Sequence, residues 1–246
     1  MVMVQAINDQ DTVNRKTVCE VLLNMLDNDN LNHVLIMDEA NFHHCGNVNS
    51  QNCRYWATEN PCNIHQKPLH SETVIVWCRV ASSGVIGPYF FEDEAGRAVT
   101  VNSARYIGML CTFLEPEFQR LGVEMQTLWF QQDGTMAHTA RTAMRVLNKM
   151  FPARMISRRG NLEWPARSPD LNTCDFFLRG YIKSKVYEKK PRTTVTWNRT
   201  SGMMRQQFLP PCCNKWRRTS RNACRNVLTT RDATSQTLYS GSQYCN

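Results

Sequence analysis

Residues 73–91, TVIVWCRVASSGVIGPYFF, leave little freedom of fold. Two runs rich in β-branched and aromatic side chains flank Ser82-Ser83-Gly84, a composition that favours extended strands joined by a tight turn. An antiparallel hairpin over 73–81 and 85–91 is expected. Shorter apolar runs at 34–37, 98–101, 128–130 and 155–156 read as further buried strands, and 42–56 reads as a hairpin around Gly46-Asn47. Between them lie helical periods. Val13, Val18, Val21, Leu22, Met25 and Leu26 recur at three- and four-residue spacing over 11–27, with Asp11 placed to cap the start. Asn102 can cap a second helix that reaches toward Pro116, a third covers 138–150, and a fourth starts near Cys174 and runs to about Glu188. Strands interleaved with helices imply an α/β domain, a mixed sheet flanked by helices.

Charge divides unevenly. The chain of 246 residues carries a net +8, but 193–246 hold eight basic residues against Asp232 alone, so the body is nearly balanced. A basic total therefore says little about what the body binds. The same 54 residues contain fourteen Ser or Thr and no persistent apolar period, so a disordered basic tail is expected. No run approaches the ~18 apolar residues of a membrane helix, so no membrane partner is expected. Eleven Cys are scattered without a C-x-x-C pair, which argues against a disulfide framework and for a soluble intracellular chain.

Three acids hold distinctive places. Asp38 follows the first buried run, Asp133 follows 128–130 and precedes Gly134, and Asp175 stands at the start of the last helix. Acids at strand ends gather at one rim of a sheet, where open α/β folds place ligands. Carboxylates brought together repel, and divalent cations relieve the repulsion; hard oxygen donors select Mg²⁺ or Mn²⁺. Two such ions suit in-line phosphoryl displacement. The plainer alternative makes Asp38 and Asp133 turn residues and Asp175 a helix cap. His138, five residues beyond Asp133, could touch a scissile phosphate or make a polar contact at its helix start. Glu39, beside Asp38 on a strand, points to the opposite face and reads as structural. Trp56, Trp77 and Trp129 read as core. Lys183, Lys185, Lys189, Lys190 and Arg192 could contact phosphates or form a solvated helix face. His43, His44, Cys45, Cys53, Cys62 and His65 could be drawn as a zinc site in an interaction module, though their spacing fits no familiar pattern.

The segments VLIMDEANFH (34–43), NCRYWATENP (52–61), VIVWCRV (74–80), IGPYFFEDEAGRAVTVNSARY (86–106), WFQQDGTMAHTAR (129–141) and RSPDLNTCDFFLRGYIKSKVY (167–187) resemble the catalytic domain of mariner-type transposases. The resemblance runs almost continuously to about residue 192. It implies a linker helix region at 1–32, a ribonuclease H-like catalytic domain at 33–192 and an aberrant tail at 193–246. It implies that Asp38, Asp133 and Asp175 are the catalytic, metal-holding acids, with two Mg²⁺ or Mn²⁺ ions as cofactors. It further implies cleavage and rejoining of DNA at transposon ends and target, a homodimer, and a nuclear place of work. Asp170, in the same motif as Asp175 but earlier, reads as a turn residue.

The chain also departs from that family. Asp38 comes too early for the family's helix-turn-helix reader to precede it, so recognition of transposon ends is expected to be lost. The tail resembles nothing in its own frame. Residues 194–215 and 226–240 can be back-translated so that one shifted frame resembles the family's terminal helices, which implies a frameshift. Arg79, Thr135-Met136 and 172–174 stand where the family tends to have Gly, Ala-Thr and a Pro-containing loop. These departures support a second reading, a catalytically idle remnant that binds nucleic acid.

Overall fold

The computed structural model describes residues 3–5, 8–27, 34–43, 73–81, 84–180, 211–229 and 235–237. The hairpin read at 42–56 beyond its first two residues, Trp56, the cysteine–histidine group apart from the backbone of His43, and Lys183, Lys185, Lys189, Lys190 and Arg192 lie outside the described residues.

A six-stranded mixed sheet organises the domain. Its strands are β2 (Val34–His43), β3 (Thr73–Ala81), β4 (Gly84–Phe90), β5 (Trp129–Gln131), β6 (Met155–Ser157) and β7 (Leu162–Glu163). Their order across the sheet is β4-β3-β2-β5-β6-β7. The first three strands form an antiparallel meander, and β5, β6 and β7 run parallel to β2. The expected hairpin is present with one irregularity, a bulge between Trp77 and Arg79. Gly87 sits opposite it at φ 122°, where a Cβ would come 2.9 Å from the Trp77 carbonyl oxygen. Only glycine fits that turn of the backbone. The strand expected at 98–101 reduces to one bridge, Glu92 to Ala98, and β7 emerges inside a stretch that the sequence presents as loop.

Alternation along β2 and β3 divides the core. Val34, Ile36 and Phe42 of β2 join Val74, Val76, Cys78 and Val80 of β3 on one face. Leu35, Met37 and Trp77 point to the other, where they meet Tyr106, Met109, Leu114, Phe118, Phe130 and Leu147. The second face is covered by α2 (Ser103–Met109), α3 (Glu115–Leu121) and α5 (Arg141–Met150), with the short α4 (Met136–Thr139) ahead of α5. Asn102 caps α2 as expected, its side chain accepting from the Arg105 amide. Pro116 does not end the helix. A wider π turn, Leu110–Leu114, leads into it, and Pro116 falls in the first turn of α3, where its missing N–H does least harm. Trp77 is fully buried and Trp129 packs against the core, so both are core residues.

The first face is covered by α1 (Asp9–Asp27) and by α6 (Pro211–Thr229). Asp11 lies inside α1 and not at its cap. Asn8 is the cap residue: its side chain accepts from the Asp11 amide at 2.7 Å, and Asp11 accepts from the Asn8 amide at 3.2 Å. The buried stripe of α1 includes Arg15, Val18, Cys19 and Leu22, while Val13 is exposed. The expectation that nothing beyond Thr193 packs on the domain does not hold for α6. Ser220 and Cys224 are buried, Ala223, Val227 and Leu228 pack beside them, and the Ser220 hydroxyl pairs with Thr173 at 2.9 Å. These five positions have helical spacing, but small side chains carry the stripe. A two-stranded sheet, β1 (Met3–Gln5) with β8 (Ser235–Thr237), brings the two ends of the chain together.

Candidate active site

Strand register sets two of the three acids side by side. Ile36 of β2 pairs with Gln131 of β5 in parallel, so Asp38 and Asp133 each lie two residues further along. Asp133 is beyond its strand. Asp38 is not at a strand end, as the sequence suggested, because β3 continues to pair with β2 as far as His43. The site therefore forms where β5 stops and β2 does not.

Asp38 belongs to the face of β2 that carries Ile36 and Phe42, and so points toward the short π-helical turn Cys174–Leu178. Asp175 lies in that turn, near enough to Asp38 for its charge to act on that carboxyl. Arg179, one turn on, serves both. Its Nη2 donates to Asp38 Oδ2 at 3.1 Å and to the Glu39 carbonyl at 3.1 Å, and stands 3.2 Å from Asp175 Oδ1. Burial, then the Asp175 charge, push the Asp38 carboxyl well above the usual range, and Arg179 opposes them. Burial also raises Asp175, Arg179 opposes it, and the Asp133 charge adds to the rise. Two carboxylates with a surplus of negative charge and one guanidinium between them define this half of the site.

Asp133 is held differently. Its Oδ1 accepts from the Thr135 amide at 3.0 Å and from His138 Nδ1 at 2.6 Å, and its Oδ2 accepts from the Thr135 hydroxyl at 2.6 Å. Burial alone would raise Asp133, but the bonds from His138 and Thr135 outweigh it and leave the carboxyl below its ordinary value. The other ring nitrogen of His138 donates to Glu39 Oε1 at 3.0 Å. Burial pulls His138 down, yet the two carboxylates prevail and push it up to about 10, so the ring is an imidazolium at neutral pH. Tyr106 lies against it, ring centroids 4.4 Å apart, and donates to Gln132 Oε1 at 2.8 Å. His138 is 1 % exposed, which keeps it from any bound phosphate and makes it the polar contact at its helix start. Glu39 points away from Asp38, as alternation requires, but its partner links it to Asp133. The signal was present in the sequence as the pairing of a D-E dipeptide with a histidine five residues beyond the second acid.

Asp170 is a turn residue with a further partner. Arg15 of α1, almost fully buried, forms a bidentate ion pair with it and donates to the Ser168 hydroxyl at 2.7 Å. This fixes the loop that leads into Asp175. Nothing in the local pattern around either residue announces a contact across 155 positions.

Among the described residues no three His, Cys, Asp or Glu side chains stand ready-grouped around a metal position. The donor set nevertheless fits a hard divalent cation. Asp38 and Asp175 adjoin with their charge only partly relieved, Asp133 is close enough to raise Asp175, and a guanidinium already takes the place of a cation between the first two.

No family model matches the chain, and no curated protein sequence does. Solved structures do. The Mos1 mariner paired-end complex with Mn matches with a TM-score of 0.68 and 17 % identity over 90 % of this chain and 62 % of that one. The Mos1 paired-end complex with the left transposon end matches at 0.63 and 20 %, over 91 % and 62 %. The isolated catalytic domain of Mos1 mariner transposase matches at 0.60 and 19 %, over 92 % and 94 %. The chain thus has the ribonuclease H-like fold of the mariner transposase catalytic domain, and spans about three fifths of the chains in those complexes.

Proposed function

We propose that this chain is a mariner-type transposase catalytic domain that cleaves and rejoins DNA phosphodiesters with divalent metal ions. One observation supports the reading: Asp38 and Asp133 each lie two residues past the paired Ile36 and Gln131 of β2 and β5, and Asp175 is near enough to act on Asp38. The matching Mos1 structures, paired-end complexes with Mn or with Mg and a strand-transfer complex, support it.

Asp38, Asp133 and Asp175 would hold two Mg²⁺ or Mn²⁺ ions, which supply activation of the attacking oxygen and stabilisation of the leaving oxygen. The chain's own residues prepare for this. Asp38 and Asp175, with their charge only partly relieved by Arg179, would supply hard oxygen donors to such an ion. His138 and Thr135 aim the Asp133 oxygens, and Glu39 holds His138 in the orientation that does so. Arg15 and Asp170 fix the loop that leads into the turn bearing Asp175. Water attacks the phosphorus, the P–O3′ bond breaks, and a 3′-hydroxyl and a 5′-phosphate result. In rejoining, a 3′-hydroxyl attacks a target phosphodiester and displaces another 3′-oxygen, so one bond is made for each broken. The partners are transposon ends and target DNA, the working unit is a homodimer, and the place of work is the nucleus.

The test is nicking of supercoiled plasmid by the purified chain. Nicking in Mg²⁺ or Mn²⁺ that stops in EDTA and in Asp38→Asn is the expected result. One feature favours the idle reading, the guanidinium seated between Asp38 and Asp175. That reading expects DNA retardation in gels with no nicking in either metal.

A further inference from the structure

We infer that Arg179 is the resident cation of the metal site, and that a divalent ion enters only as the guanidinium leaves. The inference rests on the metal-dependent reading above. Arg179 Nη2 lies within 3.2 Å of a carboxylate oxygen of each of two acids, Asp38 Oδ2 and Asp175 Oδ1. A cation that both acids share would sit between these oxygens. The guanidinium and the ion therefore compete for one position and one pair of ligands.

The seat is also poor enough to be left. Arg179 Nε is buried with no hydrogen-bond partner among the described residues, whereas a guanidinium built in for structure has its fork filled. The side chain is 37 % exposed, so its long stem has a path to solvent. Charge points the same way. Around the site four carboxylates, Asp38, Glu39, Asp133 and Asp175, face two cations, Arg179 and His138. His138 is buried behind Asp133 and cannot leave without unpairing two acids. Arg179 is the exchangeable charge: its departure leaves His138 as the one cation beside these four acids among the described residues and favours a divalent occupant.

The test measures binding of Mn²⁺ alone, by calorimetry at pH 8, to the full chain as wild type, Arg179→Gln, Arg179→Lys and Asp38→Asn. Arg179→Gln is expected to bind at least about tenfold more tightly than wild type, and Arg179→Lys to fall between them. Asp38→Asn should lose the site. A nitrogen-15 spectrum of the arginine side chains supplies a readout without mutation: on adding Mg²⁺, the Arg179 Nε–H signal should move to the position of a solvated arginine. Equal or weaker binding by Arg179→Gln, where Asp38→Asn still abolishes binding, would overturn the competition and leave the metal site standing. An Arg179 signal indifferent to Mg²⁺ would do the same. Absence of Mn²⁺ binding in both wild type and Arg179→Gln would overturn the metal reading and this inference with it.

Discussion

The two halves of the candidate site achieve order by opposite means. Asp133 is locked: both oxygens accept hydrogen bonds, its histidine partner is buried, and a second carboxylate holds that histidine from behind. Asp38 and Asp175 are loosely balanced, crowded against one another with a half-exposed arginine as mediator. The lock lowers the Asp133 carboxyl, and the crowding raises the other two. A ligand that must stay in one orientation can be built from buried hydrogen bonds. Ligands that exchange one cation for another need charge in excess and a partner able to move. The fold supplies each kind from a different element, the loop after β5 for the first and the turn before Arg179 for the second.

The most damaging change should be common to both halves. Replacing Asp133 or Asp38 by Asn keeps shape and removes charge, and should lower metal-dependent nicking by about 10²–10³-fold or more. Residual nicking at wild-type level in either would show that the halves do not serve one reaction.

A second change strikes only the crowded half. Arg15→Leu strands Asp170 and frees the loop leading to Asp175, and should cost about 3–5 kcal/mol of unfolding free energy. The double change Arg15→Leu with Asp170→Leu should recover most of that loss in urea denaturation. If the single change were harmless, α1 would not be holding this half together.

A third change strikes only the locked half. His138→Gln should weaken Mn²⁺ binding by about 10–100-fold, and Glu39→Gln by less, because it keeps a hydrogen-bond acceptor for the ring. The effect on stability has a pH signature. The folded value of about 10 exceeds the ordinary 6.5, so the histidine's contribution is complete below about 6.5 and disappears as pH rises through about 10. The difference in urea midpoint between wild type and His138→Gln should shrink over that interval. A difference unchanged from pH 6 to pH 10 would mean that the ring is not clamped as an imidazolium.

The smallest effect has the opposite sign. Arg79 is 1 % exposed, with Nε and Nη1 unpartnered among the described residues, its guanidinium 4.7 Å from the Phe118 ring centre. Burial brings it down to about 9, with Glu117 opposing. Arg79→Leu should raise stability by about 1–2 kcal/mol, since apolar replacement of a poorly partnered buried charge is often favourable. It lies on the face of the locked half, and nicking should not change. A lower melting temperature would show that the cation contributes to packing there.

These contrasts bear on what the sequence reveals. The hairpin, the helix at Asn102 and the neighbouring positions of Asp38 and Asp133 were legible because each rests on local pattern: β-branched runs, a capping residue, acids that follow apolar runs. The length of β2 was not, because Asp38-Glu39-Ala40-Asn41 looks like a break and is a strand only through pairing with β3. The helix α6 was missed because Ser220, Ala223 and Cys224 form its buried stripe without the large apolar residues that mark one. Arg15 with Asp170, and Arg179 across Asp38, are contacts that only the tertiary fold creates. Glu39 was placed on the correct face by alternation alone; its partner His138 was visible as a residue but not as a link.

The most direct test of the central claim is anomalous scattering from crystals of the full chain soaked in Mn²⁺. The account predicts a peak ligated by Asp38 and shared with Asp133 or Asp175, with the Arg179 guanidinium displaced from its place between Asp38 and Asp175. Crystals with Mn²⁺ bound elsewhere, or with no peak at these three acids while Arg179 keeps both its ion pairs, would contradict it.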